Sequence, residues 1–106
     1  MAWIYLVAAG LLEVVWAFSM KQSHGFTRLW PSVVTIVMMI ASFALLSLSM
    51  KVLPLGTAYT IWTGIGAVGA FVVGIIVLGE PANAVRMLAA ALIVSGLVLM
   101  KLSTPA

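Results

Sequence analysis

Ala2-Trp3-Ile4-Tyr5-Leu6-Val7-Ala8-Ala9-Gly10-Leu11-Leu12-Glu13-Val14-Val15-Trp16-Ala17-Phe18-Ser19-Met20 is a run of nineteen residues with a single charge, Glu13. A helix needs about 20 mostly apolar residues to cross the hydrocarbon of a bilayer. This run meets that length, and it predicts a transmembrane helix that carries one acid near its middle. Three further runs of the same kind follow, at about residues 32–50, 57–79 and 84–100. Ala84 opens the last of them, with Arg86 at its mouth, free to extend toward the headgroups. The predicted fold is all-α: a single integral membrane domain over residues 1–106 with four transmembrane helices. Pro31 and Pro81 are expected in the first turns of helices two and four, where a missing N–H costs nothing. Pro54 and Pro105 also fall outside or at the edges of the spans. Asn83 is the expected N-cap of helix four. Trp3, Tyr5 and Trp30 are expected in the aromatic belts at the membrane surfaces.

Composition leads the same way. The chain is 65% hydrophobic and 7% charged, against about 25% charged residues in soluble domains. A soluble chain this apolar could not cover its surface with polar groups, whereas lipid makes the composition sensible. The formal charge of +3 comes from Lys21, Arg28, Lys51, Arg86 and Lys101, scattered singly along the chain, so no basic patch for nucleic acid is expected. There is no cysteine, and His24 is the only histidine; neither a metal site nor a cofactor is expected. The first run lacks a basic leader and a small-residue cleavage site, so it is not expected to be a cleaved signal. No phosphate-binding loop or catalytic triad is present, and no enzyme activity is expected.

Four alternating crossings sort the positive charges onto two sides. Lys51 and Lys101 fall with the N-terminus, and Lys21, Arg28 and Arg86 fall on the opposite side. Orientation follows the Lys/Arg excess, and here the excess is a single residue. Two readings are open: a fixed topology, or insertion both ways up with antiparallel pairing. Four helices are too few to enclose a path for a solute, so a homodimer is expected on either reading. Transporters commonly use inverted halves related by an axis in the membrane plane. Ala91, Ser95 and Gly96 offer a contact face on helix four that suits the seam.

Glu13 is the candidate site. Intramembrane acids are costly and usually face a bundle interior or a water-filled cavity. No lysine or arginine lies at its depth, so its partner is expected from outside the chain. Gly10, Trp16 and Ala17 share its face at i±3 and i+4. Ser42 of helix two lies at similar depth, as do Tyr59 and Trp62 of helix three, spaced i, i+3. A carboxylate, π faces and a hydroxyl together suit a cation. The blander reading makes Glu13 a protonated, hydrogen-bonded link between helices. On helix three, Gly66, Ala70 and Gly74 form a small-residue ridge for close packing, and Gly64 with Gly66 could also mark a hinge. His24, Arg28 and Glu80 are expected to be loop or interfacial residues without chemistry.

Several motifs carry a family resemblance: Gly10-Leu11-Leu12-Glu13-Val14-Val15-Trp16-Ala17 with Lys21 closing helix one; His24-Gly25-Phe26-Thr27-Arg28-Leu29; Pro54-Leu55-Gly56-Thr57-Ala58-Tyr59; and Ile61-Trp62-Thr63-Gly64-Ile65-Gly66-Ala67-Val68-Gly69-Ala70. With them the chain resembles the small multidrug resistance transporters over essentially its whole length. Trp16 and the Gly-Ile-Gly-Ala-Val-Gly run look like the guanidinium-exporter branch. The resemblance implies a proton-coupled antiporter of the plasma membrane working as an antiparallel homodimer. It implies that Glu13 of both subunits binds protons and a small guanidinium-type cation in turn, with Tyr59 and Trp62 lining the site. It further implies that Trp16 and Ser42 form a hydrogen-bonding shell around the glutamate, and that Gly64 and Gly66 mark a kink. Two alternatives stay open: the same mechanism with quaternary ammonium or hydrophobic cationic drugs as cargo, and a non-transporting assembly subunit.

Overall fold

The computed structural model describes residues 1–104, and Pro105 lies outside them. Four helices account for nearly all of it: α1 (Ala2–Gln22), α2 (Leu29–Ser49), α3 (Leu55–Ile76) and α4 (Ala84–Ser103). Each is long and apolar enough to cross a membrane. In hydrocarbon every backbone N–H and C=O must be satisfied within the segment, which is why such runs settle as uninterrupted helices.

The helix ends differ from the hydropathy boundaries because the backbone, not the apolar run, decides them. α2 starts at Leu29 rather than Ser32: Arg28 is its extended N-cap, and Pro31 falls inside the first turn. α3 starts at Leu55 because Pro54, also extended, caps it. It ends at Ile76 rather than Gly79. The Leu78 and Glu80 N–H groups both turn back to the Gly74 carbonyl, at 3.2 and 3.0 Å, around a left-handed Gly79 at φ 69°. Pro81 does not open α4 as expected; it lies before the N-cap, Asn83, whose side chain accepts the Arg86 N–H at 2.9 Å. α1 and α4 run on past Lys21 and Lys101, whose long stems let a helix continue into the headgroup layer.

The α1–α2 connection is a tight, self-bonded turn. His24, Gly25 and Phe26 are consecutive left-handed residues, with φ of 49°, 73° and 66°. Ser23, fully buried, holds them: its hydroxyl donates to the Met20 carbonyl at 2.6 Å and accepts the Phe26 N–H at 3.0 Å.

The helices form a slab of 43 × 34 × 16 Å. α1 packs most extensively on α2 and then on α3, while α4 packs along α3 and reaches α1 through Lys101 over Trp3. The core is small, built from Leu6, Ala9, Leu46, Leu53, Ala58, Ile61 and Trp62. α2 presents Thr35, Ser42 and Ser49 to it, all fully buried and seven residues apart; small hydroxyl residues let helices approach closely in lipid. Trp3 is not a free belt residue. Its indole N–H is buried, and the Lys101 ammonium lies 4.7 Å from its ring centroid.

The α3 glycines are contact points. A Cβ at Gly64 would strike Leu97 of α4, one at Gly66 the Glu13 carboxylate, and one at Gly69 the side chain of Val14. α3 is continuous helix through all three, and Gly64 and Gly66 are packing positions in it. At Gly56 nothing lies within 4 Å of an added Cβ. Gly69→Ala is therefore expected to lower stability by about 1–3 kcal/mol, because Val14 is branched and has little room to turn. Gly56→Ala should be neutral or stabilising by up to about 1 kcal/mol through helix propensity. Unfolding titrations of the purified variants with a denaturing detergent would check the order, and equal effects would contradict it.

Candidate functional site

α1 carries Glu13 at the centre of the α1–α3 contact. The carboxylate leans against the bare backbone of Gly66, and no side chain other than hydrogen would leave it room. One carboxylate oxygen, Oε1, is buried with no hydrogen-bond partner among the described residues. One turn further along the same face, the Trp16 indole N–H is also buried without a partner. A buried acceptor or donor left unpaired costs about 1–3 kcal/mol, and the Trp3 indole N–H near the start of α1 is in the same position. One turn back, Gly10 is buried and receives the side chain of Ile65.

α2 and α3 complete the surroundings. Trp62 is buried, 7% exposed, and its indole N–H donates to the Ser42 hydroxyl at 3.0 Å. The Ser42 hydroxyl in turn donates to the Ala9 carbonyl at 2.6 Å. This chain of bonds runs across three helices and fixes the Trp62 ring. It also revises the expectation for Ser42: its one proton goes to the α1 backbone, not to the glutamate, so here Ser42 orients Trp62. Tyr59 lies one turn before Trp62, its ring 5.7 Å away, and is 54% exposed.

Sequence reasoning missed Phe43. Its ring stands 6.3 Å from that of Trp16, edge-on, and 5.6 Å from that of Trp62. It joins the two tryptophans into a continuous aromatic wall that ends at Tyr59. The signal was available: Phe43 is the only aromatic residue of α2 beyond its first turn, and it follows Ser42 directly.

The carboxylate rests on Gly66, and Trp16, one turn along α1 from it, belongs to the aromatic wall. Aromatic faces attract cations through their quadrupole, and a carboxylate accepts paired N–H donors from a planar cation. Among the described residues no group of histidine, cysteine or acidic side chains could hold a metal ion. Glu80, His24 and Arg28 stand apart from Glu13, in the connections between helices.

The comparison with known proteins follows this geometry. The family model described as Small Multidrug Resistance protein matches residues 1–93. A curated "Guanidinium exporter" of Escherichia coli strain K12 is 62% identical over 104 residues, covering 98% of this chain and 99% of that protein. Proteins of the same description from Citrobacter freundii and Salmonella typhimurium are 60% identical over the same span and coverage.

The hydroxyl relay yields a direct expectation. Ser42→Ala leaves the Trp62 N–H buried and unpaired, and should cost about 1–3 kcal/mol of stability. It should also broaden the indole signal of Trp62 by freeing the ring. Ser42→Thr keeps the hydroxyl and should retain the signal. Tryptophan side-chain NMR with unfolding titrations would test this, and an unchanged Trp62 N–H resonance in Ser42→Ala would refute the relay.

Proposed function

The chain belongs to the small multidrug resistance family, and from that premise we propose that it exports guanidinium and small guanidinyl cations in exchange for protons. It is a multi-pass protein of the plasma membrane. The observation that carries the reading is Glu13, the only acid within the four spans, set against Gly66 with an unpaired buried oxygen and one turn from Trp16 of the aromatic wall. Guanidinium is small, planar and rich in N–H donors. Its edge matches a carboxylate, and its face matches indole and phenol rings. The naming of the curated relatives agrees with that cargo. The unpaired Glu13 oxygen favours it over a quaternary ammonium ion, which has no N–H to satisfy the glutamate.

Coupling follows from competition. A proton and a cation cannot both neutralise the same carboxylate oxygens, so the arrival of one displaces the other. If only the occupied carboxylate crosses between the two open states, net movement is exchange. This needs no separate gate.

The working unit is an antiparallel homodimer. The slab is 16 Å thick, too thin to enclose a solute. α4 has no buried residue, and Tyr59 is more than half exposed. A second copy would supply the other wall and a second Glu13, and α4 with Ala91, Ser95 and Gly96 is the natural seam. The near-even distribution of Lys and Arg supports insertion in both orientations. The second reading, an assembly subunit with Glu13 as a link between helices, is disfavoured by the same unpaired oxygen: a linking acid would be bonded to its neighbour.

Glu13→Gln keeps the shape and removes the titration. Guanidinium uptake into proteoliposomes under an imposed pH gradient, and proton release on adding guanidinium, should both vanish. Gradient-driven uptake by the Gln variant would sink the coupling role. In the native chain the apparent guanidinium affinity should fall as pH drops through the carboxylate's titration, by about tenfold per unit for each proton displaced; a flat profile would contradict competition. Because the chain has no cysteine, one cysteine appended at the C-terminus can report orientation. About half the molecules should label from outside intact cells, whereas complete labelling or complete protection would refute dual insertion.

A further inference from the structure

At the opposite end of the α1–α3 contact from the N-terminus, a second pocket of about 190 Å³ opens between the two helix ends. Lys21 and Glu80 both line it, over walls that include Ala17, Phe18, Gly74 and Leu78. Lys21 belongs to the last turn of α1, where a cation suits the helix dipole. Glu80 is positioned by the chain reversal after α3. Its N–H is bonded to the Gly74 carbonyl at 3.0 Å, and its carboxylate rests on the Gly74 backbone, where a Cβ would strike it. The structure thus sets one fixed anion and one cation at the mouth of an apolar cleft.

The depth identifies the surroundings. α1 is 21 residues long, so Lys21 lies roughly 30 Å along the axis from Ala2, the thickness of the hydrocarbon. The pocket mouth is therefore at the headgroup level, with its floor at the level of the acyl chains. We propose that this pocket binds the headgroup of a zwitterionic phospholipid with a primary ammonium, of the phosphatidylethanolamine class. Glu80 accepts from the ammonium, Lys21 meets the phosphate, and the apolar walls take the start of an acyl chain. A phosphatidylglycerol headgroup brings no cation to Glu80. A phosphatidylcholine headgroup brings one without an N–H, so it cannot donate a hydrogen bond. A free guanidinium ion would meet the Lys21 charge, which separates this pocket from the Glu13 site.

The test uses the full-length chain in detergent, with lipids of matched acyl chains and phosphatidylethanolamine, phosphatidylcholine or phosphatidylglycerol headgroups, read by native mass spectrometry. The unmodified chain should retain phosphatidylethanolamine over the other two. Glu80→Gln should weaken phosphatidylethanolamine binding about threefold or more, the scale of one partly solvated charge contact, and leave phosphatidylcholine unchanged. Glu80→Asp, which keeps the charge, should retain the preference. Lys21→Gln should weaken all three lipids, since each carries a phosphate. Helical content by circular dichroism and guanidinium binding should be unaffected by Glu80→Gln, which rules out a folding defect as the cause. Equal retention of all three lipids, or a phosphatidylethanolamine preference that survives Glu80→Gln, would overturn the proposal. Displacement by soluble phosphoethanolamine at matched concentration would overturn the lipid assignment in favour of a free headgroup compound.

Discussion

A carboxylate inside hydrocarbon is kept only where a neighbouring helix yields space to it and a polar environment surrounds it. That condition governs this molecule. α3 gives way at Gly66, where the Glu13 side chain lies on bare backbone, and the same close approach lets Val14 sit on Gly69 and Ile65 on Gly10. In lipid there is no hydrophobic force between helices, so tight van der Waals contact of this kind must hold them together. The glycines that make room for the acid are thus the ones that make the α1–α3 contact. Stability and site share one surface, and a side chain added at Gly66 would disturb both.

The polar atoms divide by the same logic. Hydroxyls at the helix contacts are spent on backbone carbonyls: Thr35 on Pro31, Ser49 on Leu46, Ser42 on Ala9. The Trp62 indole is spent on Ser42. Among the described residues three buried polar atoms are left unspent: the Trp3 N–H near the start of α1 and, one turn apart further along it, Glu13 Oε1 and the Trp16 N–H. A packed protein interior seldom leaves such groups idle, and the last two adjoin the aromatic wall through Trp16, which supports the proposed binding role of Glu13 over structural glue.

Much of this was legible in the residues. Long apolar runs with few charges leave little choice but spanning helices, and an acid in the middle of one announces itself because its cost is so high. Depth along a helix is a matter of counting, so Ser42, Tyr59 and Trp62 could be placed near Glu13. What counting cannot give is direction. Whether the Ser42 proton turns to the glutamate or to the Ala9 carbonyl depends on the rotation of α2 against α1, and that depends on the buried Thr35, Ser42 and Ser49 face. Phe43 escaped notice because a phenyl ring in an apolar helix carries no polar signal; only its contact with two tryptophans gives it meaning. The ends of α2 and α3 moved because prolines and a left-handed glycine, rather than hydropathy, terminate them. Glu80 read as an incidental loop acid until the reversal at Gly79 laid it on Gly74.

The main helix contacts, α2 on α1, α1 on α3 and α3 on α4, with a smaller one between α2 and α3, are those of leaves on a single spine. No contact between α2 and α4 closes the assembly into a ring, so α1 with α2 forms one leaf and α3 with α4 the other. Glu13 against Gly66 lies on the line where the leaves meet. Rotation about that line would widen or narrow the space at the carboxylate while each leaf keeps its own packing, and the Trp62–Ser42 bond, which spans the line, acts as the clasp. A cation bound at Glu13, as proposed, would sit on the axle itself, where the smallest displacement of a side chain subtends the largest angle between the leaves.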